Sequence, residues 1–205
     1  GDKKVNYFEN GLTTLINFDF KGDANKEYEA LFSYYNQVLH SELNEYNVAN
    51  YLTSHDDGHP FDKKRNRTFE AANKLILTSG IAQIYYGDET ARSLEIEGTQ
   101  GDATLRSFMN WEEVEKSAEK KRLLDHYRKL GQFRASHPAV GAGLHRIIST
   151  QPYVFERSYS KNGFSDHVVI GLNLPSGVKT IGIGDTFKDG EVLIDHYSGL
   201  KVRVR

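Results

Sequence analysis

Apolar positions first alternate and then recur at helical spacing, three times over. In Leu12 to Phe20 the apolar residues Ile16, Phe18 and Phe20 alternate with Asn17 and Asp19, and the stretch is β-branched and aromatic, so it predicts a strand. After Lys21-Gly22-Asp23, residues Tyr28, Leu31, Phe32, Tyr35, Val38 and Leu39 fall on one helical face. Val48 to Thr53 reads as a buried strand that stops at His55-Asp56-Asp57-Gly58-His59-Pro60, because Asp, Gly and Pro break strands. A second helix places Phe69, Ala72, Leu75, Ile76 and Ser79 on one face, with Gly80 where a left-handed cap would end it. Ile81 to Tyr86 is a third strand, broken at Gly87-Asp88-Glu89. A long loop from Thr90 to Trp111 follows, of a length that is usually functional inside a compact domain. A last helix is expected from about Glu112, with Leu123, Tyr127 and Leu130 on one face, until His137-Pro138 stops it.

Beyond Pro138 the pattern changes to short alternating segments. Leu144 to Thr150, Tyr153 to Tyr159, His167 to Leu174, Lys179 to Ile183, Glu191 to Tyr197 and Lys201 to Arg205 are strand-like, and Asn162-Gly163, Pro175-Ser176-Gly177, Asp189-Gly190 and Ser198-Gly199 punctuate them. The expected fold class is α/β plus all-β: residues 1–140 a set of βα units, residues 141–205 a small antiparallel β-sandwich, with the boundary near Gly141 to Gly143. Three βα units are too few for a closed eight-stranded barrel of about 250 residues. They would leave a sheet edge and helix faces uncovered, so part of a barrel is missing or another copy of the chain covers the gap, and self-association is expected.

Charge and composition remove some function classes. With 26 basic and 28 acidic residues the formal net charge is -2, which gives no reason to expect nucleic acid as a partner. There is no cysteine, so disulfides, thiolate metal sites and cysteine nucleophiles are excluded while the compartment stays open. No apolar run reaches the roughly 20 residues that span a bilayer. The chain starts at Gly1 and holds one methionine, Met109, which points to a piece of something longer. The 12 tyrosines and 11 phenylalanines suit sugar stacking, though aromatic core packing is the commoner use.

Reactive groups in βα units sit at the carboxyl ends of strands, which makes His55 and Asp56 the candidates for chemistry. Without their flanks they could equally cap the following helix. Asp57 and His59 are expected to shape the loop, and Trp111 to anchor it. A rival reading takes His55, Asp56 and His59 as ligands of zinc or another transition metal, as in His-Asp phosphohydrolases, although those place their ligands on helices.

Several ordered stretches resemble one family. Tyr51-Leu52-Thr53-Ser54-His55-Asp56 resembles the fourth conserved motif of the α-amylase family of glycoside hydrolases. Gly11 to Phe20 is similar to that family's sixth barrel strand and Gly80 to Glu89 to its eighth. Arg106-Ser107-Phe108-Met109-Asn110-Trp111 is similar to its Arg-x-x-Met-x-Trp, and Arg134 to Pro138, Phe155-Glu156-Arg157 and Gly171 to Leu174 resemble the passage into its carboxyl-terminal β-domain. The resemblance implies barrel units six to eight followed by that β-domain, from a retaining glycosidase acting on α-linked glucans such as starch or maltodextrin.

It further implies that Asp56 is the third catalytic acid, stabilising the transition state, and that His55 is a sugar ligand. Asp102 and Arg106 match the family's Asp-x-x-x-Arg pair that contacts the glucose on the non-reducing side of the cut. Ala103 and Leu105 depart from the proline and asparagine often found between them. The nucleophile and the acid/base belong to strands four and five, which this chain lacks, so it is expected to be inactive alone. Transglycosylase, α-glucosidase and non-catalytic glucan-binding readings stay open. No cofactor or metal is assigned to this chain; a calcium requirement of the parent is unknown. The parent is expected to be secreted, periplasmic or at the cell surface, with the cytoplasm still open.

Overall fold

A computed structural model describes residues 5–205; Gly1 lies outside them. Strands β1 (Thr14–Asn17), β2 (Asn47–Tyr51) and β3 (Ile81–Gln83) form a parallel sheet in the order β1-β2-β3. Helices α1 (Phe20–Asp23) and α2 (Tyr28–His40) follow β1, and α3 (Thr68–Leu77) follows β2. After β3 the chain runs through two short 3-10 turns, Asp88–Thr90 and Gly101–Leu105, before α4 (Trp111–Lys116) and α5 (Ala118–Ser136).

The alternation in Leu12 to Phe20 has the opposite parity to a simple inward-apolar strand. Asn17 faces the helices, donating to Tyr35 Oη at 2.9 Å and to Asn50 Oδ1 at 2.8 Å. Ile16 and Phe18 are 53% and 68% exposed. Phe20 is fully buried because it starts α1 instead of continuing the strand. The register aligns Ile16, Ala49 and Ile81 across all three strands, so an apolar row lies on the sheet face away from the helices. Soluble sheets made only of parallel strands bury both faces, and here, among the described residues, one face and both edges are open.

Three other expectations change in detail. Gly80 does not cap α3, whose C-cap is the extended Thr78. Its φ of +102° lets the chain pass close to β2, where a Cβ would lie 3.0 Å from the Val48 carbonyl and 3.1 Å from Asn50 Nδ2. The helix expected from Glu112 is broken at Ser117, whose Oγ accepts the Lys120 amide as the N-cap of α5. His137-Pro138 ends α5 but also opens α6 (Pro138–Ala142), with proline at the first helical position where no amide donor is needed.

Strands β4 (Leu144–Thr150), β5 (Tyr153–Lys161) and β6 (Phe164–Leu172) form an antiparallel meander, the last two joined through Asn162 and Gly163 with φ of +53° and +79°. Among the described residues, β7 (Val192–Ile194) pairs only with β8 (Lys201–Arg203), and Lys179 to Ile183 forms no strand. The expected β-sandwich is therefore corrected to a three-stranded meander and a separate hairpin.

Parallel pairing gives way to antiparallel pairing between α6 and β4, yet the buried cluster runs across that point: Phe32 of α2 packs on Phe155 of β5 with ring centroids 5.3 Å apart. Two arginines fasten the layers. Fully buried Arg157 donates from Nη1 to Ser79 Oγ and to the Val140 carbonyl, both at 2.8 Å, and from Nη2 to the Leu77 carbonyl at 3.3 Å. Arg134 donates to the carbonyls of Ile76 and Thr78 at 2.6 and 3.0 Å, and to that of Gly80. Both cations thus meet the unpaired carbonyls at the carboxyl end of α3.

Candidate active site

Past β2 the chain stays buried through Leu52, Thr53 and Ser54, then surfaces at His55 and Asp56, whose side chains are 65% and 61% exposed. The loop closes on itself where the Phe61 amide donates to the Leu52 carbonyl at 3.0 Å. Within it, Ser54 Oγ donates to Asp56 Oδ1 at 2.8 Å, leaving Oδ2 as an open acceptor 3.8 Å from His55 Nε2. A carboxylate with one oxygen anchored and the other free suits the binding of adjacent hydroxyls.

The long loop reaches this point from the other side. Arg106 Nε donates to the His55 carbonyl at 3.0 Å, while its Nη2 lies 3.8 Å from Asp102 Oδ2. The four residues singled out in the sequence, His55, Asp56, Asp102 and Arg106, thus come together through contacts between two loops 46 or more residues apart.

Asp57 points elsewhere. It is ion-paired with Lys21 of α1, accepts from Tyr51 Oη at 3.2 Å, and accepts the His59 amide at 2.9 Å. Burial pushes its pKa up, but the Lys21 hydrogen bond and charge with the His59 amide outweigh this, and the carboxyl sits below its ordinary value. Through Tyr51 Oη and the His59 amide, Asp57 ties the loop to the end of β2. Among the described residues no three His, Cys, Asp or Glu side chains come together as metal ligands, so His55, Asp56 and His59 do not converge on one point.

The residues that hold the long loop were not legible in the sequence. Arg92, 1% exposed, donates to the carbonyls of Tyr86 and Leu105 and to Ser107 Oγ, and its guanidinium lies 4.2 Å from the centroid of the Tyr86 ring. It fits because Gly87 has no side chain: a Cβ there would be 2.4 Å from Arg92 Nε. Below it, Arg65 pairs with buried Asp88 at 2.8 Å and donates to the Arg92 carbonyl, also at 2.8 Å. Burial pushes the Asp88 pKa up, only partly offset by Arg65. An arginine in a polar loop gives no sequence signal that it is buried. The closest signal was the strand break at Gly87-Asp88-Glu89.

No family model matches the chain. A periplasmic α-amylase of Escherichia coli (strain K12) is 35% identical over 162 residues, covering 78% of this chain. The chain spans 23% of the length of that relative. Among solved structures, AmyP in complex with maltose superposes with a TM-score of 0.62 at 16% identity, over 95% of this chain and 46% of that one. An α-amylase from H. orenii superposes with a TM-score of 0.54 at 22% identity, over 95% of this chain and 47% of that one. In sequence and in fold, the chain is a relative of the α-amylase-type glycoside hydrolases.

Proposed function

We propose that this chain is barrel units six to eight and the following β-domain of a retaining glycosidase that acts on α-linked glucans, with Asp56 as its transition-state-stabilising carboxylate. The observation that carries this reading is the exposed Asp56 carboxylate at the carboxyl end of the central strand, beside His55 and braced by the loop that carries Asp102 and Arg106. Retaining hydrolysis needs a nucleophile and a second carboxyl that protonates the leaving oxygen, the two about 5–5.5 Å apart, and passes through an oxocarbenium-like state. In this reading those two groups belong to barrel strands outside this sequence. Asp56 accepts hydrogen bonds from neighbouring sugar hydroxyls, and these strengthen as positive charge grows on the ring, so they favour the transition state over the bound substrate. His55, Asp102 and Arg106 hold the glucose units in place.

The bare row Ile16, Ala49 and Ile81 supports the barrel reading, since that face would form a layer of the barrel interior once further strands closed round it. The whole protein is exported in this reading, in keeping with its periplasmic relative. The test is hydrolysis of starch or a nitrophenyl maltoside. The 205-residue chain should show no turnover, while a longer protein containing it should turn over and lose activity on Asp56→Asn, by on the order of 10²-fold or more. Turnover by this chain alone, or an unchanged rate in the variant, overturns the assignment.

A further inference from the structure

The β7–β8 hairpin meets α5 through histidines that take no part in the site above. His196, in the turn after β7, faces His137 at the end of α5, with Nε2 to Nε2 3.0 Å and ring centroids 4.7 Å apart. Phe133 of α5 packs on both rings at 5.2 and 5.3 Å. His137 cannot turn away, because its Nδ1 donates to Asp166 Oδ1 of β6 at 2.8 Å and Asp166 Oδ2 accepts the Ala139 amide at the start of α6. One proton between two nitrogens at this distance makes an N–H···N bond; a proton on each sets two N–H groups and two positive charges against one another.

We propose that His137 and His196 form a proton-operated latch, which docks the β7–β8 hairpin while the facing nitrogens share one proton and releases it when both rings are protonated.

The other groups at this interface do not act in the same way. His126 of α5 meets Tyr197 Oη at 2.8 Å and Asn73 Oδ1 at 3.0 Å. A hydroxyl can donate to a neutral imidazole or accept from a charged one, so protonation of His126 keeps that bond, although burial also holds the His126 pKa below its ordinary value and adds a smaller pH dependence of its own. Lys129 pairs with Asp125 at 2.9 Å and lies 4.8 Å from the Tyr197 ring centroid. Lys179 donates to the Pro175 carbonyl. Asp195 accepts the Tyr197 amide at 2.9 Å and the Ser198 hydroxyl, holding its own turn.

Burial, then the charge of His137, push the His196 pKa down, only partly offset by Asp195. A depressed imidazole pKa means that docking is at full strength above the ordinary value of about 6.5 and is lost as pH falls below it.

The test is amide hydrogen exchange over residues 192–203 in the whole chain, corrected for intrinsic rates, at pH 7.5 and 5.0. Exchange in the hairpin should rise by roughly threefold or more at the lower pH, while β5 and β6 stay protected. In His196→Gln, whose amide does not titrate, the hairpin should lose this pH dependence, whereas His126→Gln should keep it. An independent reading is the imidazole titration of the unmodified chain by NMR, in which His196 should have a midpoint below its ordinary value. Exchange that does not change with pH, a change that persists in His196→Gln, or an ordinary His196 midpoint overturns the proposal.

Discussion

Arg106 donates its Nε proton to the main-chain carbonyl of His55 across 3.0 Å, joining the loop after β3 to the loop after β2 by one bond. The arginine therefore braces the backbone that carries Asp56, besides facing Asp102. In a longer protein that hydrolyses glucan, Arg106→Ala should lower kcat/KM by roughly tenfold to a hundredfold, since a misplacement of about 1 Å in a positioned group can cost up to about a hundredfold. Arg106→Lys should recover little, because lysine has no planar fork to reach carbonyl and carboxylate together. Steady-state kinetics on a maltooligosaccharide checks both.

Arg157→Met should destabilise the chain by about 3 kcal/mol, because Ser79 Oγ and the carbonyls of Val140 and Leu77 would be left buried with donors missing. Denaturant unfolding should show a lower midpoint. A change within about 0.5 kcal/mol would mean that these acceptors find other partners.

Stability should fall on acidification from a second source besides the hairpin. His145 accepts from Arg157 Nε at Nδ1 and meets Tyr153 Oη at Nε2, both at 3.1 Å. Burial, with the charge of Arg157, pushes its pKa down to about 3. Because the folded value lies below the unfolded one of about 6.5, His145 favours the fold fully above pH 6.5 and loses that contribution as pH drops towards 3. His145→Gln should flatten thermal stability between pH 6.5 and 4, as read by calorimetry.

Glu70 adds a lower window. The Arg67 hydrogen bonds, opposed by burial and helped by Lys74, bring its pKa to about 2. Its contribution is present above the unfolded carboxylate value of about 4.3 and is lost as pH falls towards 2. The pair is partly exposed, so Glu70→Gln should cost about 1 kcal/mol at neutral pH and nearly nothing at pH 2.

The open face of the parallel sheet should make the isolated chain self-associate. Light scattering at increasing concentration should show species above the monomer mass. Ile16→Lys, at a position 53% exposed on that face, should shift the distribution towards monomer. A monomer at all concentrations would mean that the row Ile16, Ala49 and Ile81 is tolerated bare.

Periodicity alone located the three strand-then-helix units, the loop after β3 and the change to antiparallel segments, because a period of two or of 3.6 is set by which residues must face a core. The end of an apolar run in His55-Asp56 marked the candidate site for the same local reason: breakers stop strands, and the carboxyl ends of strands in βα units are where chemistry is placed. What packed against each element was decided only in three dimensions. The inward turn of Asn17 in place of Ile16 depends on Tyr35 and Asn50, which lie 18 and 33 residues away. Burial of Arg92, Arg157 and Asp88 depends on carbonyls and charges contributed by distant loops, and composition records no difference between a buried arginine and a solvated one. The meeting of Arg106 with His55, and of His137 with His196, likewise exists only once the layers have closed, since hydrogen bonds of a few ångströms are fixed by tertiary packing and leave no local pattern.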